Sequence, residues 1–219
     1  MSVLDCRDLS FAYEGRPVLS HVNFSLEKGS YLGIIGENGS GKSTLIKGIL
    51  GLKKQASGEI RLHLPDAQKG MGYLPQQQTM KKDFPASVWE VVLSGRLSQL
   101  SFPYRYRKVD RDYAEHMLQF LSLSSLKDHA FRELSGGQQQ RVAIARAVVS
   151  HPDLVLADEP TGNLDSKNGA EVMRILSELN AAGTTIVMVT HNKHDAEYAA
   201  RVVEMLDGKI VSTIQNKNL

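Results

Sequence analysis

At 219 residues, with 42% hydrophobic and 23% charged side chains, the chain has the composition of a folded globular protein rather than a disordered one. Its 26 basic and 24 acidic residues leave a formal charge of +2, too balanced to imply nucleic acid as a partner. No apolar run exceeds about five residues, whereas a membrane-crossing helix needs about 20. The amino terminus lacks the basic-then-apolar layout of a secretory signal, and Cys6 alone cannot build a disulfide framework, so a reducing compartment, the cytoplasm, is expected.

Residues 3–11 and 18–26 read as strands, with Val22, Phe24 and Leu26 alternating with Asn23 and Ser25, and Glu14-Gly15-Arg16-Pro17 is expected to join them as an antiparallel pair. Tyr13 edges that turn, where an aromatic ring packs or, beside a nucleotide, stacks on a base. The apolar run 31–35 leads into Gly36-Glu37-Asn38-Gly39-Ser40-Gly41-Lys42-Ser43, and a helix-like run follows from Thr44. Backbone N–H groups can wrap a triphosphate only where no Cβ stands in the way, hence the three glycines. The helix N-terminus adds unpaired N–H groups, Lys42 reaches phosphate oxygens, and the Ser43 hydroxyl is placed to ligate Mg²⁺. Strand, phosphate loop and helix together predict a nucleotide site.

Leu45/Ile49 and Ile46/Leu50 give that helix a buried stripe, which Gly51 ends. Residues 58–64 and 71–74 are candidate strands around the turn-rich stretch 65–70, and the second runs into Pro75-Gln76-Gln77-Gln78. The pattern then turns helical: Val88, Val91, Val92 and Leu93 form one stripe, and Tyr113, Met117, Phe120 and Leu121 another. Pro103 and the basic run Arg105-Tyr106-Arg107-Lys108, read as a solvated face that would also suit an anionic membrane surface, lie between them. Strands resume at 154–157, 186–189 and 202–206, with a helix carrying Val172, Ile175, Leu176 and Leu179 up to Gly183 and a hairpin at Asp207-Gly208. The expected fold is α/β: a mostly parallel sheet covered on both faces, with an antiparallel β part and a helical insertion. One domain is expected, its core and antiparallel part at 1–84 and 151–219 and the helical insertion at 85–150.

The strand ending at Ala157 delivers Asp158 and Glu159 to the carboxyl edge of the sheet, where ligands bind. Asp158 is suited to share a metal with Ser43, and Glu159 to orient or deprotonate a water attacking the γ-phosphate. Leu134-Ser135-Gly136-Gly137-Gln138, at the head of a small, apolar helix, is a second anion-binding element, which suggests that one of the two serves a partner's nucleotide.

With the phosphate loop, Leu134-Ser135-Gly136-Gly137-Gln138 and the acidic strand in this order, the chain resembles the ATP-binding subunits of ABC transporters over essentially its whole length. The resemblance implies the ABC ATPase fold on a P-loop NTPase core. It also implies that Gly36, Glu37, Asn38, Gly39, Ser40, Gly41, Lys42, Ser43 and Thr44 of one copy and Ser135, Gly136, Gly137 and Gln138 of another enclose each ATP with its Mg²⁺. Tyr13 matches the family's adenine-stacking aromatic, and Gln76 the glutamine that touches Mg²⁺ and water and links the site to the membrane subunit. Asp165 matches the aspartate that communicates across the dimer, and His191 the histidine on the γ-phosphate. His191 also follows a strand to the ligand edge, so His191, His194 and Asp195 need no transition metal; the remaining histidines read as structural.

The stretch 83–96 is similar to the matching segment of zinc and manganese importers, whereas 156–165 is more similar to lipoprotein-release and macrolide-export ATPases. The first carries more weight because it lies near the permease contact; its Phe84 and Trp89 read equally as permease anchors or as core. The resemblance therefore implies the ATP-hydrolysing subunit of a membrane transporter importing zinc or manganese, peripheral on the cytoplasmic side of the membrane. It would act with a permease, a second copy of itself and an extracytoplasmic substrate-binding protein, and with no nucleic acid. The alternatives are a lipoprotein-release or macrolide export ATPase and a non-transport ABC ATPase of the iron–sulfur assembly type. A switch that binds nucleotide without hydrolysis is a further class, disfavoured by the presence of both Glu159 and His191.

Overall fold

The computed structural model describes residues 1–65, 70–76, 85–102 and 104–216. Strands β1 (Ser2–Tyr13) and β2 (Arg16–Glu27) pair antiparallel across a tight turn in which Glu14 and Gly15 are both left-handed, with φ of 48° and 78°. Such a turn matches the twist of the flanking strands. It is shorter than the expected four residues, because Arg16 and Pro17 extend β2, and Pro17 at the strand's start gives up little of the ladder. β4 (Ser57–Leu62) pairs with the other edge of β1, giving the order β2-β1-β4.

The second sheet contains β3 (Tyr31–Ile35), β5 (Met71–Leu74), β6 (Leu154–Asp158), β7 (Thr185–Thr190), β8 (Arg201–Leu206) and β9 (Lys209–Gln215). Among the described residues its order is β5-β6-β7-β3-β8-β9; all neighbours are parallel except β8 and β9. That last pair turns through left-handed Asp207 and Gly208, as its Asp-Gly dipeptide predicts. Every residue of β6 and β7 is buried, as in a parallel sheet covered on both faces.

The helices are α1 (Lys42–Ile49), α2 (Val88–Ser94), α3 (Lys108–Phe120), α4 (Gly136–Val148), α5 (Ser166–Ala181) and the short α6 (Lys193–Ala196). Alternation along β6 sorts them: Leu154 and Leu156 face an apolar cluster shared with α1 and the antiparallel sheet, while Val155 and Ala157 face one shared with α2, α3, α4 and α5. The α3 stripe differs from the one expected. Ala114, Met117, Leu118 and Leu121 are buried, whereas Phe120 is exposed and Tyr113 half-buried. Trp89 packs as a half-buried member of the second cluster with Lys127 Nζ 4.2 Å from its ring centroid. It is therefore largely a packing residue. Phe84, Gln77, Gln78, Pro103 and the turn residues 66–69 lie outside the described residues.

The segment just after α2 is tied to α3 by a buried ion pair, in which Arg96 Nε and Nη2 donate to Asp110 Oδ1 at 3.0 and 2.8 Å. Burial alone would raise the Asp110 pKa; the Arg107 backbone N–H and the Arg96 guanidinium outweigh it and hold the carboxyl below its ordinary value.

The contact that sets α1 on the antiparallel sheet is Gly48 against Phe11. A Cβ at Gly48 would come within 2.1 Å of Phe11 Cζ, and Phe11 is wholly buried. A helix-interior glycine costs about 1 kcal/mol of propensity, which this close approach offsets. Gly48→Val should lower the unfolding free energy by roughly 1–3 kcal/mol, the range for overpacking a filled core. The check is the urea midpoint; an unchanged midpoint would contradict this packing.

Candidate functional site

β3 ends at Ile35 on the carboxyl edge of the parallel strands, and the loop 36–41 turns directly into α1. A Cβ at Gly36 would lie 2.4 Å from the Met205 carbonyl oxygen and 2.6 Å from Ser40 Oγ; Gly41, with φ of 96°, would meet a Leu19 methyl at 2.3 Å. These two glycines are thus required by close approach as well as by conformation. Lys42 is 5% exposed, and its ammonium donates to the carbonyl oxygens of Gly36 (2.7 Å) and Glu37 (2.9 Å), closing the loop into a ring. Burial pulls its pKa down, with Glu159 and Asp158 partly opposing. Asn38, Gly39, Gly41, Lys42, Ser43, Thr44 and Glu159 line a cavity of about 210 Å³. Asn38 also lines a neighbouring cavity of about 390 Å³ with Gly36, Glu37 and His191. Ser40 is buried, and its hydroxyl has no partner among the described residues.

Of the acidic pair, Glu159 lines the first cavity and Asp158 is bonded to Ser43 of its wall. Asp158 is 6% exposed and its Oδ1 accepts from Ser43 Oγ at 3.3 Å; burial pushes its pKa up, while the Ser43 bond pulls the other way. Glu159 is left-handed, with φ of 49°, at a cost of roughly 1–2 kcal/mol for a residue bearing a Cβ. Its N–H still donates to Val189 O at 2.9 Å, continuing the β6–β7 ladder, so the strain turns the side chain without loosening the strand. Glu159 Oε2 accepts from Gln76 Nε2 at 3.0 Å, and Oε1 lies 3.3 Å from His191 Nδ1. Three strand ends thus bring together the three residues that the sequence marks as catalytic.

Ser135, Gly136, Gly137 and Gln138 stand apart from this cluster, and none of them lines either cavity. Ser135 caps α4 in a reciprocal box: its Oγ accepts from Gln138 N, and Gln138 Oε1 accepts from Ser135 N. A Cβ at Gly137 would meet Asn168 Oδ1 at 2.2 Å, and Asn168 donates through N and Nδ2 to Asp165 Oδ1 and Oδ2 at 2.9 and 2.6 Å. Asp165 therefore caps α5 beside the head of α4. Tyr13 is 45% exposed at the end of β1, one face of its ring covered by Lys53 Nζ at 3.4 Å from the centroid.

His191, His194 and Asp195 do not converge. His194 pairs with Glu197, Asp195 accepts from Thr161, and among the described residues no group of three His, Cys, Asp or Glu is placed to hold a metal. Sequence reading missed Lys53 and Asn168, which no local pattern marks. It also missed Gln140, whose Nε2 donates to Pro160 O at 2.6 Å; a polar residue inside the buried stripe of α4 was the available signal. His21 and His63, read as structural, pair with Asp8 and Asp5 at 2.6 and 3.0 Å.

The ABC transporter family model matches residues 19–162, a span holding the phosphate loop, the acidic strand end and the head of α4. The chain belongs to the ABC transporter family. A Chlamydia pneumoniae relative named "Probable metal transport system ATP-binding protein" is 43% identical over 85% of this chain and 78% of its own length. The manganese transport system ATP-binding protein MntB of Bacillus subtilis is 37% identical over 90% and 80%. The macrolide export ATP-binding/permease protein MacB of Shewanella oneidensis is 41% identical over 91% of this chain but only 31% of that longer protein. Among solved structures, the cassette of an inward-facing ABC transporter assigned to the metal-chelate type aligns with a TM-score of 0.89 and 31% identity, covering 99% of this chain and 84% of that one. A dimeric ATP-binding cassette holding ADP and phosphate after hydrolysis aligns at 0.83 and 30%, covering 99% and 100%. As a member of the ABC family the chain is an ATP-binding ATPase subunit, of a kind that dimerises and works with membrane permeases. Among the described residues no helix is long and apolar enough to cross a membrane.

The raised pKa of Asp158 has a thermodynamic sign. The folded ABC subunit holds that proton more tightly than the unfolded chain, so stability falls as pH rises from the unfolded value of 3.8 through the raised folded value. Asp158→Asn removes this cost and keeps an acceptor for Ser43. The nucleotide-free variant should melt above the wild type at pH 7, with the gap vanishing below pH 3.8; equal or lower melting at pH 7 would contradict the burial argument.

Proposed function

We propose that this ABC ATPase drives import of a divalent metal ion, manganese or zinc, through a separate membrane permease, from the cytoplasmic side and with an extracytoplasmic substrate-binding protein delivering the cargo. The observation that carries the chemical part is the convergence of Gln76, Glu159 and His191 beside the phosphate loop. The metal cargo is supported by likeness to metal-transport subunits along nearly four-fifths of their length, whereas the macrolide exporters match over less than a third of theirs.

In this reading the loop amides at the head of α1 and the Lys42 ammonium bind the β- and γ-phosphates, Lys42 exchanging its carbonyl partners for phosphate oxygens. Tyr13 stacks on the adenine with its free face. The Ser43 hydroxyl, the Asp158 carboxylate and the Gln76 amide oxygen suit Mg²⁺, which takes hard oxygen ligands, and a buried carboxylate facing a hydroxyl is a place where a cation relieves the burial cost. Mg²⁺ held there supplies positive charge against the phosphate oxygens. Glu159, steered by its left-handed turn and by Gln76, orients the attacking water and takes its proton, and His191 contacts the γ-phosphate. Ser135, Gly136, Gly137 and Gln138 of a second copy close over the same nucleotide, and Asp165 meets the partner beside them. Loss of the γ-phosphate contacts then lets the pair reopen.

Glu159→Gln keeps the bond partners of the site while removing the base, so kcat should fall by about 10²–10⁴. ATP then remains bound and holds the assembly together for capture. A pull-down of this variant with ATP from detergent-solubilised native membranes should bring down a multi-span permease and a metal-binding lipoprotein. A permease accompanied by efflux or lipoprotein-release components would support the export alternative, and recovery of soluble partners only would contradict transport.

A further inference from the structure

The turn that aims Glu159 is held from several sides. Glu159 N donates to Val189 O at 2.9 Å and Gly162 N to Glu159 O at 3.0 Å, which tie the turn to β7 and to itself. Thr161 Oγ1 donates to Asp195 of α6, which is 5% exposed. Gln140 Nε2 donates to the Pro160 carbonyl at 2.6 Å, with Gln140 only 2% exposed. Gln140 belongs to α4, the helix headed by Ser135–Gln138.

We propose that Gln140 is a positioning residue for hydrolysis: it passes the seating of the head of α4 to Glu159 of the same chain, so that each copy fires its own ATP when its α4 has engaged the partner's. This rests on the reading of Ser135–Gln138 and Glu159 given above. Three features carry it. Gln140 lies five residues from Ser135, about 7.5 Å along one continuous helix, so a shift at the helix head reaches it undamped. Proline has no N–H, so the Pro160 carbonyl is the turn's available backbone handle next to Glu159, and a buried amide bond to it is costly to leave unmade. The turn therefore follows Gln140 rather than detaching from it. The Gly137–Asn168–Asp165 contacts brace the head of α4 against the far end of the same loop, so the two ends of residues 160–165 move together.

The test uses Gln140→Met, which fills the space without a donor, and Gln140→Glu, whose carboxyl donates only when protonated. For Gln140→Met, kcat should fall about tenfold or more, while ATP affinity and ATP-driven dimerisation in a Glu159→Gln background stay at their parent values; the unpaired Pro160 carbonyl lowers the melting temperature without unfolding the chain at the assay temperature. For Gln140→Glu, activity relative to wild type should rise as pH is lowered and the buried carboxyl regains its proton. Unchanged kcat in Gln140→Met, or a fall in kcat matched by lost ATP affinity or lost dimerisation, would overturn the proposal. Failure of the parent Glu159→Gln chain to dimerise with ATP would instead remove the reading beneath it, and the proposal with it.

Discussion

Hydrogen bonds between parallel strands decide where each segment leaves the sheet. Leu74 lies opposite Ala157, Asp158 opposite Val189, and Ile35 opposite Thr190. Because of this register the chain exits β5, β6, β7 and β3 at one edge, and Gln76, Glu159, His191 and the phosphate loop emerge within a residue or two of those exits. A slip of one residue in any of these pairings would move its functional residue and also turn its apolar side chains to the wrong cluster. The same burial that holds the core therefore holds the chemistry.

At that edge the two carboxylates are treated differently. Asp158 completes β6, buried against the Ser43 hydroxyl, and burial disfavours its charge. Glu159 lies one residue further, where a left-handed backbone sends it toward Gln76 and His191 instead of along the strand. A short change in backbone direction separates a group suited to a cation from a group suited to a water. Meanwhile the second anion-binding element is fully formed, with Ser135 and Gln138 capping one another, but it serves neither cavity of its own chain. In the proposed function, an element so prepared, in a family whose cassettes dimerise, supplies the complementary half of a partner's site.

Much of this was legible in the sequence wherever the signal is local. The glycine spacing of 36–41, the apolar run ending in Asp158 and Glu159, the Asp207-Gly208 hairpin and the α5 stripe each depend on neighbours a few residues away, and each is found in place. Sequence periodicity failed where long-range contact decides. On α3, Phe120 falls on the expected stripe yet is exposed, because the helix turns Leu118 and Ala114 toward α2 and α4 instead. Trp89 packs partly buried against the cluster of α2 to α5, a long-range contact that its local pattern does not mark. The Arg96–Asp110 pair spans 14 residues, Gln140 reaches Pro160 across 20, and Lys53 covers Tyr13 from a different segment. These polar contacts have no periodic signature, since any of the partners would be unremarked on an exposed surface.

The most direct test of the account is whether the head of α4 in one copy meets the phosphate loop of another. Asn38 is exposed on the loop, and the native Cys6 is 2% exposed and out of reach of surface oxidants. Two variants, Asn38→Cys and Ser135→Cys, mixed with ATP in the Glu159→Gln background and mildly oxidised, should give a disulfide-linked dimer that depends on ATP. Absence of that species, or its formation equally without nucleotide, would contradict the closed two-copy site.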